Sequence, residues 1–216
     1  MGVMEALEPL ADIAWNNLAH ADRALDLLLR RLDVPPANSW LREFARLPER
    51  QRDLIRAIGV IGDPLFIPWL IERMAEPPIA RLAGEAFSTI TGLYLAQAAL
   101  ERRAPDDAQS GPNDDPADED VAVDPDENHP WPDPVGIGHW WIANRERFTQ
   151  GAAYFLGVPK TSAAWLRALF EARQGQRHAA ALELAIRQPD KSMFEVRARG
   201  RIQQQLLVRA RPGHPG

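Results

Sequence analysis

The sequence contains no cysteine, and only two of its 25 Lys and Arg residues are lysines. Without cysteine the chain cannot form a disulfide, a thiolate zinc site or a cysteine nucleophile. No apolar run approaches the roughly 18 residues that a membrane-spanning helix needs. Glu5 and Glu8 stand where a secretory signal would carry Lys or Arg. We therefore expect a soluble, cytoplasmic protein that does not associate with a membrane.

Recognisable catalytic motifs are missing as well. The sequence has no G-x-S-x-G elbow, no G-x-G-x-x-G loop and no Walker loop for phosphate. Its five histidines stand apart from one another, without the i, i+4 pairing of an HExxH zinc site. These absences predict a non-enzymatic protein that holds no metal and no cofactor.

Charge is distributed unevenly along the chain. Residues 1–103 contain 12 arginines and 14 acidic residues, whereas residues 140–216 contain 13 basic and 5 acidic residues. Residues 104–139 contain eleven acidic residues and neither Lys nor Arg. A stretch of this composition cannot form its own core, because it has little apolar surface and much charge of one sign.

We interpret residues 104–136 as an acidic, Pro-rich linker or loop. Its charge is open to three interpretations: a solvated linker, a weak metal-binding segment, or a polyanion that occupies a basic cleft of a partner protein. Trp131 stands between two prolines and is expected to hold the end of this stretch against the helices. The candidate partner-binding residues are Asp118, Glu119, Asp120, Asp124, Asp126, Glu127 and Trp131, and these carboxylates other than Glu119 would be the metal ligands in the second interpretation.

Residues 1–103 have apolar side chains at three- and four-residue intervals, which predicts a series of helices. The first is expected to be regular from about Pro9 onward, and Pro35-Pro36 is expected to end the second. At the next clear helix end, Gly62 supplies a left-handed residue, Asp63 is a suitable N-cap, and Pro64 suits the first turn of the following helix.

Gly92 closes a further helix 30 positions after Gly62. Such an interval is typical of one helical hairpin in a repeat array. Residues 137–210 continue the helical pattern, with Thr161 as a predicted N-cap, and residues 211–216 are expected to be a disordered tail. Six tryptophans are expected to pack mostly in the core: Trp15, Trp40, Trp69, Trp140, Trp141 and Trp165.

Particular segments resemble a known protein family. The segments AIGVIGDPLFIPWLIERM and ARLAGEAFSTITG resemble HEAT-type repeats of the short bacterial kind. Together with DPDENHPWPDP, GHWW, RHAAALELAI and FEVRARGRIQQQ, they resemble an uncharacterised family of bacterial HEAT-like proteins whose genes often lie near type VI secretion spike genes. The resemblance covers residues 52–207. It implies an immunity, chaperone or adaptor protein that binds a cognate effector.

The sequence as a whole therefore predicts an all-α, HEAT-like α-solenoid of antiparallel helix pairs with a long acidic loop, and a partner that is another protein. An alternative is a nucleic-acid-binding protein that uses the basic C-terminal face, although the overall net charge of −5 disfavours it. The residues of that face are Arg197, Arg199, Arg201, Arg209 and Arg211.

Overall fold

A computed structural model describes residues 3–16, 19–105 and 124–210. Ten α-helices and two strands of two residues each lie within these ranges. The predicted all-α fold class is confirmed. The chain divides into two compact units, of which the first ends at Gly157 and the second begins at Val158.

The first unit contains seven α-helices and one strand within its described residues. Its helices α2, α4 and α6 are in contact in that order, and α1, α3 and α5 each contact the helix that follows them. Helix α7 packs against α5. The bounds are α1 (Val3–Trp15), α2 (Ala21–Arg31), α3 (Val34–Phe44), α4 (Gln51–Ile61), α5 (Ile67–Arg73), α6 (Pro77–Thr91), α7 (Pro134–Asn144) and β1 (Tyr154–Phe155), with 3₁₀ turns at Pro48–Arg50, Pro64–Phe66 and Arg145–Arg147.

The core of this unit follows from the apolar stripes of its helices. Phe44, Ile55, Ile58 and Phe87 are each at most 1 % exposed. Helices α4 and α6 approach closely where Gly59 faces Ala86, since a methyl group on Gly59 would lie 3.4 Å from the Cα and Cβ atoms of Ala86. Small residues therefore set the spacing of these two helices.

The predicted helix ends at Gly62 and Gly92 are confirmed. Both glycines have a left-handed backbone, with φ of 76° and 73°. The segment around β1 passes over both ends, because Tyr154 N–H donates to Gly62 O at 2.8 Å and Gly157 N–H donates to Ile90 O at 3.0 Å. A side chain on Gly92 would meet the carbonyl group of Leu156 at 2.6 Å. These positions need glycine for their φ and for the close approach of a second backbone.

Three expectations about the first unit differ from the structure. The Pro35-Pro36 pair was expected only to end α2, but it lies in the first turn of α3. Proline fits there because the backbone N–H groups of the first turn have no partner within the helix. Helix α1 begins at Val3 and carries Pro9 in its interior. Trp15, expected in the core, is 42 % exposed. Helix α7, which spans the boundary predicted at residue 137, lies in the first unit.

The second unit contains β2 (Val158–Pro159), α8 (Ser162–Glu171), α9 (Gln174–Arg187) and α10 (Gly200–Ala210). The predicted cap is confirmed, since Thr161 Oγ1 accepts the N–H of Ala164 at 3.2 Å. Arg177 of α9 donates to Leu169 O at 2.9 Å and to Gln203 Oε1 at 2.6 Å. One guanidinium therefore connects all three helices of this unit.

Candidate functional site

The ends of the acid-rich stretch are held side by side. Residues 100–102 lie antiparallel to residues 131–133, and we call this pairing the stem. Two backbone hydrogen bonds hold it, from Arg102 N–H to Trp131 O and from Asp133 N–H to Leu100 O, both at 2.9 Å. Because of this pairing, residues 102 and 131, on either side of the acid-rich stretch, lie at one place on the first unit.

The stem lies against α6 at Gly84. A methyl group added to Gly84 would lie 3.3 Å from Cβ of Pro132 and 3.3 Å from Cδ1 of Leu95. The neighbours of Gly84 are thus the stem and the segment after α6. The absence of a side chain therefore lets the base of the acidic loop lie close to the helix.

Residues 124–131, the docked segment, are bound to α4 and α6 by two arginines. Arg52 of α4 donates to both carboxylate oxygens of Asp126 at 2.8 Å, and Arg81 of α6 forms an ion pair with Asp124. Asp124 Oδ1 also accepts the backbone N–H of Asp126 at 2.8 Å. Asp126 is only 5 % exposed, so its charge is balanced within the chain.

Arg81 makes a second contact with the docked segment. Its guanidinium carbon lies 4.8 Å from the centre of the Trp131 ring, within the range of a cation–π contact. His129 Nδ1 of the docked segment lies 3.5 Å from Oε2 of Glu85, which belongs to α6 like Arg81. The contact with Arg81 agrees with the prediction that Trp131 holds the end of the acidic stretch against the helices.

The structure separates the predicted partner-binding residues into three groups. Asp124 and Asp126 are engaged by arginines of the same chain, and Trp131 is half-buried against one of them. Glu127 is exposed and makes its only described hydrogen bond through its backbone N–H. The other three, Asp118, Glu119 and Asp120, lie outside the described residues. A partner could therefore contact Glu127 directly. To bind Asp124 or Asp126, it would have to displace the arginine that is already paired with that carboxylate.

Sequence reasoning missed the two arginines that bind the docked segment. Arg52 is 74 positions from Asp126, and Arg81 is 43 positions from Asp124. The first unit has twelve arginines before residue 104, and nothing local to Arg52 or Arg81 marks either as the partner of an acid in a distant loop. The sequence offers one indication of these ion pairs: one segment has many acidic residues and no Lys or Arg, and the helices before it contain many arginines.

Three arginines of the alternative nucleic-acid face, Arg197, Arg199 and Arg201, are exposed. The side chain of Arg209 and the whole of Arg211 lie outside the part of the chain that is described. The exposed arginines leave this face accessible to an anion.

The second unit also holds a buried carboxylate. Glu183 has 0 % exposure and lies 3.1 Å from Arg187 Nη2 and 3.9 Å from Lys160 Nζ. The Lys160 ammonium lies 5.5 Å from the centre of the Trp165 ring, which is itself buried. This arrangement balances charge within the fold, as expected of a structural ion pair.

The described ranges contain neither a candidate metal site nor a candidate membrane span. No three His, Asp or Glu side chains there are grouped in a way that could hold a metal ion. Nor does any described helix have both the length and the apolar character required to cross a bilayer. No protein-family model, no curated protein and no solved structure matches the chain.

Proposed function

We propose that this chain is a non-catalytic, HEAT-like α-solenoid that binds another protein. The partner is a secreted effector, and the chain acts as an immunity, chaperone or adaptor protein of a type VI secretion locus in the cytoplasm. The acidic loop occupies a basic surface of that effector. The sequence resemblance supports the secretion role, and the arrangement of the first unit supports the solenoid and the loop.

Helix packing in the first unit supports a repeat array. In a stack of helical hairpins, each pair contacts its neighbours mainly through equivalent helices. The first unit follows this pattern. Helix α2 contacts α4 and α4 contacts α6, while α1, α3 and α5 each contact the helix that follows them. The left-handed glycines at positions 62 and 92 end two of these equivalent helices, α4 and α6.

The stem is the observation that carries the proposal for the loop. Between residues 106 and 123 the sequence has seven acidic residues and no Lys or Arg. Both ends of this stretch are fixed by the stem and the docked segment, whose own acids Asp124 and Asp126 are already neutralised by arginines. The remaining charge is available to attract a basic protein surface and to accelerate association with it.

The proposal is tested by replacing acids in this stretch by their amides: Asp114→Asn, Asp115→Asn, Asp118→Asn, Glu119→Gln and Asp120→Asn. The full-length chain is first used to isolate the effector encoded beside its gene. The affinity of the purified pair is then measured at several salt concentrations. We expect the amide variant to lose affinity by at least about tenfold at low salt, with a weaker salt dependence, because charge pairs across the interface are lost.

A control variant carries Glu146→Gln and Glu171→Gln, two acidic residues outside the loop whose side chains are 91 % and 71 % exposed. This control should bind the effector as the original chain does. Equal affinity of the loop variant and the original chain at every salt concentration would refute the role of the loop.

A second candidate function is nucleic-acid binding through the exposed Arg197, Arg199 and Arg201. It predicts retention of duplex DNA at low salt, with a salt slope that falls when these three arginines are replaced by glutamine. If the original chain does not retain DNA even at low salt, this candidate is eliminated.

A further inference from the structure

An open groove of about 590 Å³ lies between α1 and α3. Two indole rings line it. The rings of Trp15 and Trp40 meet nearly at right angles, at 81°, with their centres 5.7 Å apart. Trp15 is 42 % exposed, so part of its indole surface is open to a ligand.

Carboxylates stand on the rim of this groove. Glu8 and Asp12 occupy successive turns of α1, and Glu43 belongs to α3. Asp12 accepts a hydrogen bond from Asn16, and Glu43 pairs with Arg46 where both side chains are largely exposed. Negative charge beside exposed aromatic faces is complementary to a cation.

The protein binds its own arginines with the same combination of groups. Three of its guanidinium groups each lie 4.8–5.4 Å from the centre of an aromatic ring and also pair with a carboxylate. The sets are Arg50 with Phe44 and Asp53, Arg73 with Trp69 and Glu76, and Arg81 with Trp131 and Asp124. Among the described residues, no cationic group is placed in this way over Trp15 or Trp40.

We propose that the α1–α3 groove binds an arginine side chain presented by an exposed peptide segment of the partner protein. This inference rests on the proposed protein-binding function and adds a second contact to it. The guanidinium stacks on the exposed Trp15 ring, with Trp40 beside it, and donates to Glu8 or Asp12, because a planar guanidinium can contact a ring face and a carboxylate together.

The shape of the groove favours a peptide over a small free cation. It is open to solvent and extends along two turns of α1, from Glu8 to Trp15. A small quaternary ammonium ion needs an enclosing cage of rings to be desolvated, whereas a peptide covers an open groove with its own backbone and neighbouring side chains.

The test uses the full chain and the acetylated tripeptide amide Ala-Arg-Ala as the probe. Binding is followed by the indole N–H resonances of Trp15 and Trp40, assigned from the Trp15→Phe and Trp40→Phe variants. We expect both resonances to shift to saturation. The peptide with citrulline in place of arginine should bind at least about tenfold more weakly, because it has the same shape without the charge.

Variants of the rim separate a site from a nonspecific effect of charge. Glu8→Gln combined with Asp12→Asn should weaken probe binding by about five- to tenfold. The matched control, Glu146→Gln combined with Glu171→Gln, removes two exposed charges elsewhere and should leave the affinity unchanged. Both rim residues are exposed, so these changes do not depend on rebuilding the core.

Three results would overturn the inference: indole resonances that do not move, equal binding of the citrulline peptide, or tetramethylammonium binding as tightly as the arginine peptide. None of them involves the acidic loop, so the loop proposal would stand. Conversely, a loop variant that binds the effector normally would leave a positive probe titration intact.

Discussion

Asp63 Oδ1 accepts a hydrogen bond from the backbone N–H of Gly151 at 3.0 Å, across 88 positions of the sequence. The same carboxylate accepts the N–H of Leu65 at 2.9 Å and the Nδ2 group of Asn38 at 2.8 Å. Asp63 has no measurable exposure. One buried side chain therefore joins α3, the corner after α4 and the turn before β1.

Replacing Asp63 by alanine should lower the free energy of unfolding by about 2–4 kcal/mol, because three donors lose their acceptor in a buried site. The measurement is urea-induced unfolding of the full chain. The control is Asp133→Ala at the beginning of α7, where the carboxylate accepts the N–H of Val135 at 3.1 Å as an N-cap. We expect that change to cost about 1 kcal/mol. Equal losses would contradict the central role of Asp63.

Gly62→Ala should destabilise the chain by about 2–4 kcal/mol, because residue 62 has a left-handed backbone and the added methyl group would collide with the carbonyl oxygen of Tyr154. The matched change is Gly138→Ala inside α7, where nothing lies within 4 Å of the added Cβ. That variant should gain about 0.5–1 kcal/mol from its higher helix propensity. Thermal unfolding of the two variants compares them directly, and a stable Gly62→Ala protein would refute the argument.

The helix ends were predictable because their chemistry is local. A left-handed glycine, a capping side chain and a proline in the first turn act within four residues of one another, so Gly62, Asp63 and Thr161 could be assigned from the sequence. Pro35-Pro36 was ambiguous, because the same pair can end one helix and begin the next. When the pair is taken only as the end of α2, α3 is not predicted.

The long-range contacts of the site were not predictable in this way. Asp63 could be recognised as a cap, but nothing near it indicates that Asn38 and Gly151 would share its carboxylate. Trp15 has the spacing of a core residue on α1, but it contacts Trp40 and Phe44 of α3 and is still 42 % exposed. Contacts of this kind are set by tertiary packing, and no local pattern in a single sequence indicates them.

The strength of one such long-range contact, between Arg52 and Asp126 of the docked segment, can be measured directly. A double-mutant cycle with Arg52→Ala and Asp126→Asn should give a coupling energy of about 1–3 kcal/mol, because a two-point hydrogen bond to a buried carboxylate is lost. The readout is urea unfolding of the four proteins. The control cycle uses Arg46 and Glu43, whose side chains are 72 % and 47 % exposed, and should give no more than about 0.5 kcal/mol. Similar couplings in both cycles would mean that the segment is not firmly docked.

The buried Glu183 leads to a prediction about the second unit. Lys160→Met should destabilise this unit by about 1–3 kcal/mol, because it removes one of the two cations near a carboxylate that is shielded from water. Combining it with Glu183→Gln should recover part of the loss, since the amide carries no charge that needs a partner. Hydrogen exchange of amides in α8 and α9 measures the stability of this unit separately from the first. A double variant less stable than Lys160→Met alone would contradict this prediction. Lys160 would then stabilise the unit through its contact with the Trp165 ring more than through its pairing with Glu183.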